Sequence, residues 1–127
     1  MKIRQLDHLV LTVKDLDATI KFYCEALGMQ HEVFGDNRHA LKFGEQKINL
    51  HVSGKEFEPK ADQPTPGAAD LCFISETPVE SMLEALHRNG IVIEQGPIQR
   101  TGATQPVLSI YIRDPDGNLI ELSNLLD

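Results

Sequence analysis

The chain has 127 residues, 41% of them hydrophobic and 24% charged, with a formal net charge of −7. That length suits one domain with a real core, and the acidic balance with 12 scattered Lys and Arg argues against nucleic acid or an anionic membrane as a partner. No apolar run reaches the roughly 18 residues of a membrane span, the opening "MKIRQLDHLVLTV" lacks the apolar stretch of a signal peptide, and two cysteines are too few for a disulfide scaffold. Cys24 and Cys72 are expected as reduced core thiols, and the cytoplasm as the compartment.

In chain order, residues 8–13 alternate: Leu9, Leu11 and Val13 on one face, His8, Val10 and Thr12 on the other. A helix follows, capped by Asp15 or Asp17. Its stripe is Leu16, Ile20, Tyr23 and Leu27, and Gly28 stops it. Strands are expected over Met29–Phe34, His39–Phe43 and Lys47–Val52. In the last of these, Ile48, Leu50 and Val52 oppose Lys47, Asn49 and His51.

The stretch "SGKEFEPKADQPTPG" holds three prolines and two glycines and reads as a linker, placed at 54–67. Residues 70–90 then repeat the pattern of residues 8–28 at an offset of 62: His8 matches Asp70, Leu11 matches Phe73, and Gly28 matches Gly90. Thr77 is expected to cap the second helix, with Pro78 first in it and Val79, Met82, Leu83 and Leu86 as its stripe. Strands follow at Val92–Glu94, Val107–Arg113 and Leu119–Ser123, with "DPDG" turning between the last two. The expected fold is α+β: one domain of two βαβββ modules, about 3–53 and 68–124, forming a curved mixed sheet with a metal-binding cavity.

The alternation assigns polar residues to a face. His8, His51, Asp70 and Glu121 all fall on the side their helices leave uncovered, in the first and last strand of each module. Imidazole and carboxylate donors suit one divalent ion such as Zn, Ni, Mn, Co or Fe(II), with positions open for substrate. Asp70, with its shorter reach, is placed as a ligand or as a group orienting one. Asn49 and Arg113 share that face with Tyr111 and are expected to contact substrate, Arg113 through an anion. The segment "GPIQRTGATQP" is long for a strand connection, and Arg100 and Thr101 are expected in a lid over the cavity. His31, His39 and His87 have no ligand-like placement.

Three stretches resemble the vicinal oxygen chelate superfamily, which includes glyoxalase I, bleomycin and fosfomycin resistance proteins and extradiol dioxygenases. They are "DHLVLTVKDLDATIKFYCEALGM", "FGEQKINLHVSG" and "YIRDPDGNLIELSN". The chain looks most like the short single-domain members known as glyoxalase-domain or virulence-associated proteins. The resemblance implies His8 as first metal ligand and Glu121 as last, with Glu121 serving as base if substrate displaces it. His51 lies in a strand that supplies a ligand in some members. Asp70 departs from the His found in most catalytic members. Tyr111 matches a substrate contact of fosfomycin-type transferases.

Two functions are therefore expected. The first is a metal-dependent enzyme in which the ion, as Lewis acid, serves lyase, isomerase or dioxygenase chemistry on a small oxygen-chelating substrate. The second is a metal-free drug-binding protein like bleomycin resistance proteins. A homodimer is implied by the resemblance.

Overall fold

The computed structural model describes all 127 residues and divides them into two compact units, 1–66 and 67–127. In the first unit β1 (His8–Val13) leads into α1 (Leu16–Lys21), which continues as a π-helical turn over Phe22–Ala26. β2 (Gln30–Phe34), β3 (Arg38–Phe43) and β4 (Gln46–Val52) follow. The sheet runs β1-β4-β3-β2, with β1 parallel to β4 and the other pairs antiparallel. The second unit repeats this with β5 (Asp70–Ile74), α2 (Val79–Arg88), β6 (Gln95–Thr101), β7 (Pro106–Arg113) and β8 (Leu119–Leu125), in the order β5-β8-β7-β6. Both units are the expected βαβββ. No helix is long and apolar enough to cross a membrane.

The alternation read from the sequence shows in the burial. Leu11, Val13, Ile48 and Leu50 are buried in the first unit, as are Ile110, Ile112, Ile120 and Leu122 in the second. Each such side chain contributes about 1.5–3 kcal/mol by leaving water. β4 is central in its sheet, and its other face is buried as well: Asn49 and His51 are 7% and 3% exposed.

Asp15 rather than Asp17 caps α1, accepting the Ala18 N–H at 3.0 Å. α2 is stopped as expected at Gly90. Ile91 N–H reaches Leu86 C=O, Gly90 N–H reaches His87 C=O, and Gly90 takes the positive φ of 70° that this motif requires. The start of α2 corrects the expectation. Pro78 is extended and precedes the helix, and Thr77 does not cap it. The acceptor is Asn124, at the end of β8, whose Oδ1 takes the Val79 N–H at 2.8 Å.

Two more expectations change. Residues 92–94 are not a strand. Strand β6 instead starts at Gln95 and takes up much of the expected lid, so Arg100 and Thr101 lie in a sheet edge. Gly96-Pro97 looks like turn punctuation, but an edge strand tolerates both residues. Cys72 is exposed rather than in the core, because the side of β5 that bears it is the uncovered one.

Candidate functional site

The "DPDG" turn holds β8 in place. The Asp114 carboxylate accepts the N–H groups of Asp116 and Asn118, both at 2.9 Å, and the Asn118 amide at 2.7 Å. Asn118 Oδ1 in turn accepts the Ala69 N–H just before β5. This register sets Glu121 opposite Cys72 on β5 and Tyr111 on β7, with Asp70 one diagonal step away.

Glu121 is held on one side only. Ser109, fully buried, donates its hydroxyl to Glu121 Oε2 at 2.6 Å and lies 2.6 Å from the Ser123 hydroxyl. The Cys72 sulfur reaches the same Ser123 oxygen at 3.4 Å. Although the residue is exposed overall, partial desolvation of its thiol is the main cause that pushes it upward, so it stays protonated near neutrality. Neither serine was identified from the sequence. The period-2 alternation that placed Tyr111 and Glu121 on one face places Ser109 and Ser123 there too.

The two arginines of this unit differ in their commitments. Arg113 forms a two-pronged pair with Glu94 at 3.0 and 3.1 Å and donates to the Gly117 carbonyl at 3.1 Å. Its hydrogen bonds hold Glu94 below the ordinary carboxylate range. That guanidinium, half exposed, is engaged within the fold by Glu94 and Gly117. Arg100 donates from Nε to the Tyr111 hydroxyl at 3.0 Å. Residues 99–106 line an open cleft of about 440 Å³ beside it.

In the first unit His8 Nδ1 lies 2.8 Å from Asp7 Oδ1. The carboxylate can only accept, so Nδ1 carries a proton and, in the neutral ring, the lone pair is on Nε2. The same bond is the main cause that lowers Asp7. Register decides what stands near His8. It pairs with Lys47, Val10 with Asn49, and Thr12 with His51. His51 is therefore four positions along from His8, about 13 Å at ~3.3 Å per residue, too far for both to reach one ion at about 2 Å. The register does not bring the expected pair of imidazoles together. It also shows which residues correspond between units: Asn49 opposite Val10 matches Glu121 opposite Cys72, and His51 matches Ser123.

His51 has a setting of its own. Its Nε2 is buried without a hydrogen-bond partner, as is Asn49 Oδ1. Burial first, and then the Arg38 charge, lower its pKa. His31 and His39 meet at 2.8 Å with ring planes 3° apart, imidazole to imidazole across β2 and β3. Neither unit by itself gathers three His, Cys, Asp or Glu side chains that could hold a metal. Taken singly, the side chains with donor atoms left over are His8 in the first unit, through Nε2, and Glu121 in the second, through the oxygen not bonded to Ser109, with Asp70 one diagonal step from Glu121.

Paired βαβββ units, each with a parallel outer strand pair carrying polar side chains on one face, define the class of the glyoxalase fold. The chain belongs to the Glyoxalase/Bleomycin resistance protein/Dioxygenase superfamily, whose family model matches residues 5–122. It is 58% identical over 123 residues to Virulence protein STM3117 of Salmonella typhimurium, covering 97% of this chain and 85% of that protein. The crystal structure of that protein superposes with a TM-score of 0.97 at 57% identity, covering 99% of this chain and 100% of the other. The chain is also 54% identical over 127 residues to Glyoxalase domain-containing protein RDO1 of Mycosarcoma maydis, covering all of this chain and 72% of that one.

Proposed function

We propose that this member of the superfamily is a metal-dependent enzyme acting on a small oxygen-chelating substrate, with His8 and Glu121 as metal ligands and Asp70 as a further donor. The observation that carries the reading is the bond between His8 Nδ1 and Asp7, which presets the other ring nitrogen as a lone-pair donor. Imidazole and carboxylate together suit Mn, Fe(II), Co, Ni or Zn. When bound, the ion supplies a Lewis acid for an enolate or alkoxide oxygen.

The chain's own residues have separate tasks. Ser109 orients Glu121 by occupying one carboxylate oxygen, which leaves the other for a ligand or for a proton. Tyr111, its hydroxyl occupied by Arg100 as donor, keeps its own proton to give to a substrate oxygen. The assembly proposed is a homodimer, and Val10 and Ile74, 44% and 52% exposed, are apolar side chains that a second copy would cover.

Elemental analysis of the purified protein tests the reading. A divalent ion near one per chain is expected, and it is lost in His8→Ala/Glu121→Gln. Wild-type protein free of such an ion after growth in metal-supplemented medium, or a double variant that retains it, sinks the proposal.

A further inference from the structure

The geometry points to a binding site for a small oxyanion, a carboxylate or a phosphoryl group, on the β3–β4 face of the first unit, built from Arg38, Lys47 and His51. This goes beyond the metal-dependent reading and does not rest on it.

Arg38 precedes His39, the partner of Leu50, so it comes level with His51 on the neighbouring strand. Its guanidinium lies 4.8 Å from the centre of the Phe57 ring and 5.4 Å from that of Phe34. Lys47 Nζ lies 4.0 Å from the Phe34 ring centre. The His51 ring meets Phe57 edge-on at 5.7 Å. The three nitrogen-bearing side chains thus share two aromatic rings in one continuous cluster.

None of the three has a carboxylate partner, although the chain carries a net charge of −7. The nearby acids are engaged elsewhere. Glu32 pairs with Lys42 at 3.8 Å, and Glu58 pairs with Lys60. Glu56 accepts the Gly54 N–H and Asp7 is bonded to His8, while the Glu56 and Glu58 charges still reach His51 and are outweighed there by burial and Arg38. Cation–π contacts leave the N–H groups at the guanidinium edge and on the ammonium free to donate. His51, 3% exposed, adds an unpartnered Nε2, and a buried polar atom left so is costly unless something bonds to it. A cation there would meet Arg38, whereas an oxyanion at the guanidinium edge has His51 level with it on the neighbouring strand and the Lys47 charge across the Phe34 ring.

Nuclear magnetic resonance on the chelator-treated full chain, titrated with inorganic phosphate and separately with benzoate, tests this. Saturable shifts centred on β3, β4 and Phe57 are expected with one or both anions. Arg38→Gln should weaken binding about tenfold, a loss of roughly 1.4 kcal/mol. Lys47→Gln should weaken it severalfold, Arg38→Lys should restore most of it, and Lys21→Gln on α1 should match wild type. The site is overturned if neither anion saturates below about 0.1 M, where screening takes over. It is equally overturned if Arg38→Gln and Lys47→Gln both bind as wild type. Because the metal is removed beforehand, failure of the metal reading leaves this result untouched.

Discussion

Ser109 on β7 donates to Glu121 on the neighbouring strand at 2.6 Å, and the acceptor is the one carboxylate of the second unit's sheet that also faces Tyr111 and Cys72 across the register. A hydrogen bond to a charged group is among the stronger ones, and this one is fully buried at the donor. Ser109→Ala leaves Ser123 and the carboxylate without it. The variant should lose about 1–3 kcal/mol in urea denaturation and bind divalent metal more weakly. Metal affinity equal to wild type would show that Ser109 serves packing alone.

Asn124 ties β8 to the start of α2 and to the link before it by three bonds: it accepts from Val79 N–H at 2.8 Å and donates to the carbonyls of Ser75 and Thr77 at 3.1 and 2.8 Å. Asn124→Ala should cost about 1–2 kcal/mol, the size of a lost helix cap or more. Thr77→Ala, the cap suggested by sequence, should cost much less. Denaturation midpoints for the pair decide between them.

Gly96 allows β6 to pack close to β7. A Cβ there would stand 2.3 Å from the Ser109 carbonyl oxygen, with φ at 102°. Backbone cannot yield as a flexible side chain can. Gly96→Ala should therefore be strongly destabilised, by roughly 3 kcal/mol or more, and it should disturb the strand that carries Ser109. Gly28→Ala, with a positive φ but open space around it, should cost less. Thermal melting of both variants checks the order.

His51 gives a signed pH dependence. Burial and Arg38 lower its pKa in the folded state, so the unfolded chain binds the proton more readily. The associated stability is present above the ordinary histidine range and is lost as pH falls through the lowered folded value. Wild-type protein should lose more stability than His51→Gln between neutral pH and mild acid. Parallel curves in chelator-treated protein would remove His51 from the account.

The βαβββ repeat was legible because it depends on local chemistry. Strands of period 2 and a helix of period 3.6 each carry their own signal, and Gly28, Gly90 and the "DPDG" turn mark the ends. The strand face that bears His8 and Glu121 was legible for the same reason. β6 was hidden because an edge strand needs no apolar alternation, and Gly96-Pro97 imitates a turn.

The sequence by itself determined which face each side chain takes, since alternation along one strand needs no knowledge of its neighbour. Register needs that neighbour. Only the tertiary structure decided that Asn49, not His51, is the first unit's counterpart of Glu121, because strand pairing slides in whole residues and face assignment alone permits any even slip. It likewise decided that Asn124 caps a helix 45 residues earlier in the chain and that Ser109 holds Glu121. Those bonds join residues far apart in the chain, and nothing in the local pattern of either partner records the other.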